Sequence, residues 1–218
     1  MSAAGPVDIF IGDTGMGTMA VRSVDSVDRG APVSPSFTRW RDRTRRCPHR
    51  YRLAVVAPNI ADVVRWTGGW LFDRTVAGWE VAVLVADPGD TRPLRILGAT
   101  VLDLEQFSAA PVRETWPQAV AVASATYLSD SRVRDGVLDC LDRGRTEVTM
   151  WGEGLPVELD HRVGSVQHRV SLAGRAFKAC AMRAAGLATE VVGPVEVFRT
   201  GGASRIYPGY GVDLMPAG

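Results

Sequence analysis

From residue 52 the chain alternates short apolar runs with stretches whose apolar residues recur at helical spacing. RLAVVAP is rich in Val and ends at Pro58, the signature of a strand buried on both faces of a parallel sheet. Asn59 then stands where a helix N-cap belongs, and Ile60, Val63, Val64, Thr67, Trp70 and Leu71 share one face of a predicted helix that Gly78 stops. The pattern repeats. WEVAVLVAD predicts a second strand, DTRPLRILGA a short helix and TVLDLE a third strand, with Gly98 at the turn between them. QAVAVAS predicts a fourth strand, and residues Ser131 to Arg143 a helix whose Val133, Val137, Leu138 and Leu141 line one face before Gly144. TEVTMWG closes the series as a fifth strand.

Strands separated by helices require crossovers, so the order predicts a mostly parallel five-stranded sheet with helices on both faces. The class is α/β, a Rossmann-like or flavodoxin-like three-layer sandwich. Past Trp151 the stretch up to Ser171 is predicted irregular. Ser171 is a good N-cap for a helix placing Leu172, Ala176, Phe177, Cys180, Ala181 and Ala184 on its apolar face and ending at Gly186. EVVGPVEVFR reads as a strand, and Gly193 and Pro194 assign it to an edge. These signals divide the chain into a poorly ordered or peripheral arm (1–50), one α/β domain (51–200) and a Gly-rich tail (201–218) predicted as loop. Mid-helix, Gly68 and Gly69 should cost about 1 kcal/mol each relative to Ala, which points to a close packing neighbour or a ligand and predicts close helix-to-sheet packing there.

With 218 residues, 46% of them hydrophobic and 22% charged, the composition is that of a folded domain with a sizeable core. No run approaches the roughly 18 apolar residues of a membrane span, and the N-terminus lacks a signal-like pattern, so a cytoplasmic protein without membrane partners is expected. Cys47, Cys140 and Cys180 show no paired spacing, and reduced thiols are expected. The net charge of +1 hides an asymmetry: residues 38–52 hold seven arginines against one aspartate, a local +6, leaving the rest at −5. With Trp40 and Tyr51 interleaved, this segment suits phosphate contacts and base stacking, or docking on an acidic surface.

In open α/β sheets ligands bind at the carboxyl ends of the strands where the chain order reverses. That rule selects Asn59 after the first strand, Asp87 after the second, Asp103 with Glu105 at the third, Ser124 and Thr126 after the fourth, and Glu153 after the fifth. Asp87 stands where a dinucleotide fold holds a ribose hydroxyl, yet the first turn reads APNIAD in place of a glycine fingerprint. GDTGMGT, near the N-terminus, spaces Gly12 and Gly17 as a P-loop does but has Thr18 where the lysine belongs, so it reads as a flexible loop. Receiver-like domains share the alternating order and want acids after the first strand, where this chain has Pro58 and Asn59.

A second candidate is the helix start at Ser171, where His168, Arg169, Arg175 and Lys178 gather around free backbone N–H groups that attract anions. Ordinary solvation of Arg175 and Lys178, on the face opposite Phe177 and Cys180, accounts for the same residues. His161 and His168, seven apart, lack the spacing for a shared zinc ion, so no metal is expected, and no cofactor is indicated. No nucleophile and base stand together in sequence. The expectation is therefore a non-catalytic binding or regulatory module for a small anionic, nucleotide-like ligand held by Asn59, Asp87, Asp103, Ser124, Glu153, His168, Arg169, Ser171 and Arg175. The alternatives are a transferase-type enzyme using a nucleotide-linked donor, with Asp103 or His168 as base, and a nucleic-acid or protein-docking module acting through 38–52.

Overall fold

Each of the five apolar runs forms a strand, and the five lie parallel. The computed structural model describes residues 38, 39, 42, 51–104, 117–202 and 214–216. The elements are β1 (Arg52–Val56), α1 (Ile60–Val76), β2 (Glu80–Val85), α2 (Arg92–Ile96), β3 (Thr100–Asp103), β4 (Ala119–Ala123), α3 (Ser124–Ser129), α4 (Ser131–Arg143) and β5 (Glu147–Trp151). A 3-10 turn (Val157–Leu159), β6 (Gly164–Arg169), α5 (Leu172–Ala184), β7 (Val195–Gly202) and β8 (Leu214–Pro216) follow. Most of the arm 1–50, with GDTGMGT and the greater part of the Arg-rich segment, lies outside the described residues, as does Glu105.

Among the described residues the sheet has eight strands in the order β3-β2-β1-β4-β5-β7-β6-β8, which corrects the expected five. β1 to β5 pair parallel, whereas β7, β6 and β8 extend the sheet antiparallel beyond β5. β7 is thus an interior strand. Gly193 and Pro194 precede its first residue, so the missing proline N–H interrupts no ladder, and the Pro194 carbonyl accepts the Val170 N–H at 3.0 Å. The tail, expected as loop, supplies β8.

Alternate residues of the strands bury in two layers. Leu53, Val55, Val83, Val85, Ala121 and Trp151 pack against Val63, Val64, Trp70 and Leu71 of α1, Leu94 of α2, and Ala181 and Met182 of α5. On the opposite face Ala54, Val56, Leu84, Leu102 and Met150 meet Tyr127 of α3, Val137 and Cys140 of α4, and Leu159. At about 1.5–3 kcal/mol for each large aliphatic side chain fully removed from water, these layers dominate the fold's stability.

Helix α5 buries a different face from the expected one. Gly174, Lys178, Ala181 and Met182 turn inward, while Leu172 is 78% and Phe177 44% exposed, the latter stacking on Phe72 at 4.3 Å. The cause is an interior partner for the lysine. Nζ of Lys178 donates to Oε1 of Glu196 at 2.6 Å, both side chains being buried. The same carboxylate accepts the backbone N–H of Gly69 at 2.9 Å and of Trp70 at 2.7 Å. Gly69 permits this approach, since a Cβ there would lie 2.4 Å from Cγ1 of Val170. The close packing predicted at the glycine pair is present.

Candidate functional site

The strand order 3-2-1-4-5 reverses between β1 and β4, the place where open α/β sheets hold ligands in a crevice outside the carboxyl ends of their strands. β1 runs out through Ala57 to Pro58 and Asn59, both exposed. Asn59 caps α1: its Oδ1 accepts the Asp62 N–H at 2.9 Å. This fixes the first turn of α1 and places the half-buried Asp62 carboxylate beside the crevice, where its Oδ2 accepts the indole N–H of Trp151 at 3.1 Å. Trp151, the last residue of β5, is 2% exposed, and its carbonyl accepts the Ser124 hydroxyl at 2.9 Å. The first residue of α3, directly after β4, and the last residue of β5 are thereby joined to the start of α1. The chain leaves β5 through Gly152 at φ +95, a backbone conformation that favours glycine.

The remaining strand-end residues stand at the ends of β2, β3 and β5. Asp103 is the last residue of β3 and is half-buried; Glu153 is exposed beyond β5. Asp87 is exposed, and its Oδ1 accepts the Gly89 N–H at 3.1 Å, closing the turn after β2. Tyr127 of α3 donates its hydroxyl to Oε1 of Glu158 at 2.7 Å, and burial first, then this bond, pushes the phenol up to about 12.

The start of α5 forms a separate cluster centred on an acid. Ser171 Oγ accepts the Gly174 N–H at 2.8 Å and donates to Oδ1 of Asp73 at 2.5 Å. Oδ2 of Asp73 accepts the Ser171 N–H at 3.0 Å and lies 2.8 Å from Nε2 of the buried His168. A carboxylate of the chain itself thus stands where the sequence pattern places an external anion. Arg169 is exposed on β6, and Arg175 is half-buried one turn into α5.

Hydrogen bonds therefore gather Asn59 and Ser124 with Asp62 and Trp151, and His168 and Ser171 with Asp73. Sequence reasoning missed Asp62, Asp73 and Trp151. The signal for Asp62 was present: an acid three residues after the cap Asn59, at the first strand-to-helix turn. For Asp73, a solitary acid late in a helix, no local signal existed. Chemically, the crevice offers a carboxylate aimed by an indole N–H, a group that can take a proton from water or from a hydroxyl. Among the described residues no group of three or more His, Cys, Asp and Glu side chains could hold a metal ion, and no helix is long and apolar enough to cross a membrane.

No family model and no curated protein sequence matches the chain. Solved structures similar to it include a triple-mutant deacetylase of the teicoplanin biosynthetic pathway, with 15% identity, TM-score 0.48, and coverage of 70% of this chain and 97% of that one. The A40926 pseudoaglycone deacetylase gives 16% identity and TM-score 0.46, over 61% and 80% of the two chains. The 4-carboxy-2-hydroxymuconate hydratase of Pseudomonas putida KT2440 gives 14% identity and TM-score 0.42, over 70% and 95%. These similar structures are of enzymes, and the expectation of a non-catalytic binding module is corrected accordingly. That expectation rested on a missing acid–base set and passed over Asp62, whose carboxylate is oriented by the Trp151 indole.

Proposed function

We propose that the protein is a cytoplasmic enzyme acting on a small polar substrate in the crevice between β1 and β4, with Asp62 as its general acid–base group. The observation that carries this reading is the contact of Asp62 with the Trp151 indole at the point where the strand order reverses. A base needs a fixed direction before it needs a shifted pKa, and Asp62 is held by the Asn59 cap on one side and by an indole on the other. Asn59 supplies an exposed polar group beside Asp62, the buried Ser124 ties the end of β5 to α3, and Asp103 and Glu153 supply further acids at other strand ends. Proton abstraction from water leads to hydrolysis, and from a substrate hydroxyl to group transfer.

A transfer from a nucleotide-linked donor is the second reading, favoured by Asp87. It closes β2 directly beside β1 in a sheet of dinucleotide-fold order, where a ribose hydroxyl is held. Both readings are tested by one screen, in which N-acyl and O-acyl sugars and nucleotide sugars are offered to the purified protein and product is followed by mass spectrometry. Any turnover found should fall about 10²–10⁴-fold in Asp62→Asn. Turnover that survives this substitution refutes Asp62 as the base; loss on Asp87→Ala confined to nucleotide-linked donors supports the second reading.

A further inference from the structure

We infer that Glu196 is a positioning residue: from β7 it takes two backbone N–H groups in the middle of α1 and so sets the direction in which the first half of that helix presents Asp62. The inference rests on reading the crevice as the active site. In an uninterrupted α-helix the N–H groups of Gly69 and Trp70 point to the carbonyls of Arg65 and Trp66. Here they donate to Oε1 and Oε2 of Glu196, at 2.9 and 2.7 Å. A side chain inserted into the ladder is a recognised cause of a bend.

The two halves of α1 have different anchors. The second half is fixed to the antiparallel part of the sheet and to α5: Trp70 packs on Phe198 at 5.0 Å between ring centres, and Asp73 binds His168 and Ser171. The first half faces the crevice through Asp62 and pairs Arg65 with Glu190. Glu196 stands at the joint, 5% exposed, with Lys178 neutralising it. Gly69 keeps the joint closed, because any side chain there would meet Val170 at 2.4 Å.

Leverage makes the joint matter. Seven residues separate Gly69 from Asp62, about 10 Å along a helix, so a rotation of about 10° would carry the carboxylate through about 2 Å. A displacement of about 1 Å is enough to reduce a reaction rate about 100-fold.

The test uses the full chain labelled with nitrogen-15, with the Trp151 indole resonance assigned by its loss in Trp151→Phe. Glu196→Ala is expected to move that resonance toward its position in Asp62→Ala and to speed hydrogen exchange at Gly69 and Trp70. Arg52→Met breaks the buried contact with Glu80 at the opposite end of the sheet, and it should lower stability while leaving the resonance in place. An unmoved resonance in Glu196→Ala, or an equal movement in Arg52→Met, overturns the proposal. If Glu196→Ala does not fold, Glu196→Gln keeps the volume but turns a donor toward an N–H group, and it must give the same movement or the proposal fails. Turnover that survives Asp62→Asn would refute the active-site reading while leaving this result standing.

Discussion

The indole N–H of Trp151 meets Oδ2 of Asp62 at 3.1 Å, joining the end of β5 to the first turn of α1 across 89 residues of sequence. The two partners are unequal in burial, Trp151 being enclosed and Asp62 half-exposed. Trp151→Phe removes both a hydrogen bond and buried volume, and should cost about 1–3 kcal/mol. Asp62→Asn keeps an acceptor for the indole and loses the carboxylate at a helix N-terminus, for about 0.3–1 kcal/mol. Urea unfolding of both variants decides the matter. If Asp62→Asn proves as costly as Trp151→Phe, the carboxylate is a structural group and its proposed chemistry loses its basis.

The glycine pair in α1 separates helix propensity from packing. Ala is favoured over Gly in a helix interior by about 1 kcal/mol. At Gly68 a Cβ would meet Cγ of Lys178 at 3.2 Å, a flexible side chain that can shift, so Gly68→Ala should be close to neutral. At Gly69 it would meet both methyls of Val170, at 2.4 and 2.8 Å. Gly69→Ala should therefore destabilise by about 1–3 kcal/mol in spite of propensity, as overpacked cores do. Thermal melts of the two single variants give the comparison, and equal melting temperatures would contradict it.

The buried Lys178–Glu196 pair predicts an asymmetric response. Glu196 serves three donors, the Lys178 ammonium and the N–H groups of Gly69 and Trp70. Glu196→Leu strands all three and should cost about 3–5 kcal/mol, the range for breaking a buried pair. Lys178→Met leaves the carboxylate with two backbone donors and should cost less. Chemical denaturation of each variant tests the order, and a reversed order would show that the ammonium, not the carboxylate, organises the site.

Lys178 also shows where reading the sequence stops. Its position opposite Phe177 and Cys180 predicts a solvated side chain, but a glutamate 18 residues later on β7 draws it inside and leaves Phe177 to cover Phe72. β6 went unread for a related reason. In GSVQHR only Val166 and His168 turn inward, so the segment carries too few apolar residues to mark a strand. By contrast β1, β2 and β5 are buried along their whole length, and continuous apolar runs announce the first two. Strand order is decided by pairing between distant segments, so the reversal between β1 and β4 could be anticipated only as a rule about where ligands go. Asp62 was concealed because an acid in the first turn is already explained by the helix dipole.

Accessibility should separate the thiols. Burial, and after it the charge of Asp139, pushes the Cys140 thiol up to about 11, while Cys180 is exposed on α5. In a Cys47→Ser background at pH 8, a thiol reagent should modify Cys180 rapidly and Cys140 only on unfolding, because the thiolate is the reacting species. Mass mapping after a brief pulse reports the order. Equal labelling of Cys140 in the folded protein would mean that α4 opens readily from the sheet.

Tyr127 gives the fold a defined response to alkali. Its phenol rises from 10.0 to about 12, because burial and then the neighbouring Glu158 carboxylate oppose the phenolate. Between these two values the unfolded chain has lost a proton that the folded chain retains, so unfolding becomes easier as pH rises. The stabilisation is fully present below pH 10 and is lost as pH climbs through about 12. Tyr127→Phe removes the titrating group and should flatten that part of the curve of stability against pH, while losing the bond to Glu158 at every pH. Urea midpoints at intervals from pH 9 upward measure both effects. A wild-type slope that persists unchanged in Tyr127→Phe would assign the alkaline loss to another group.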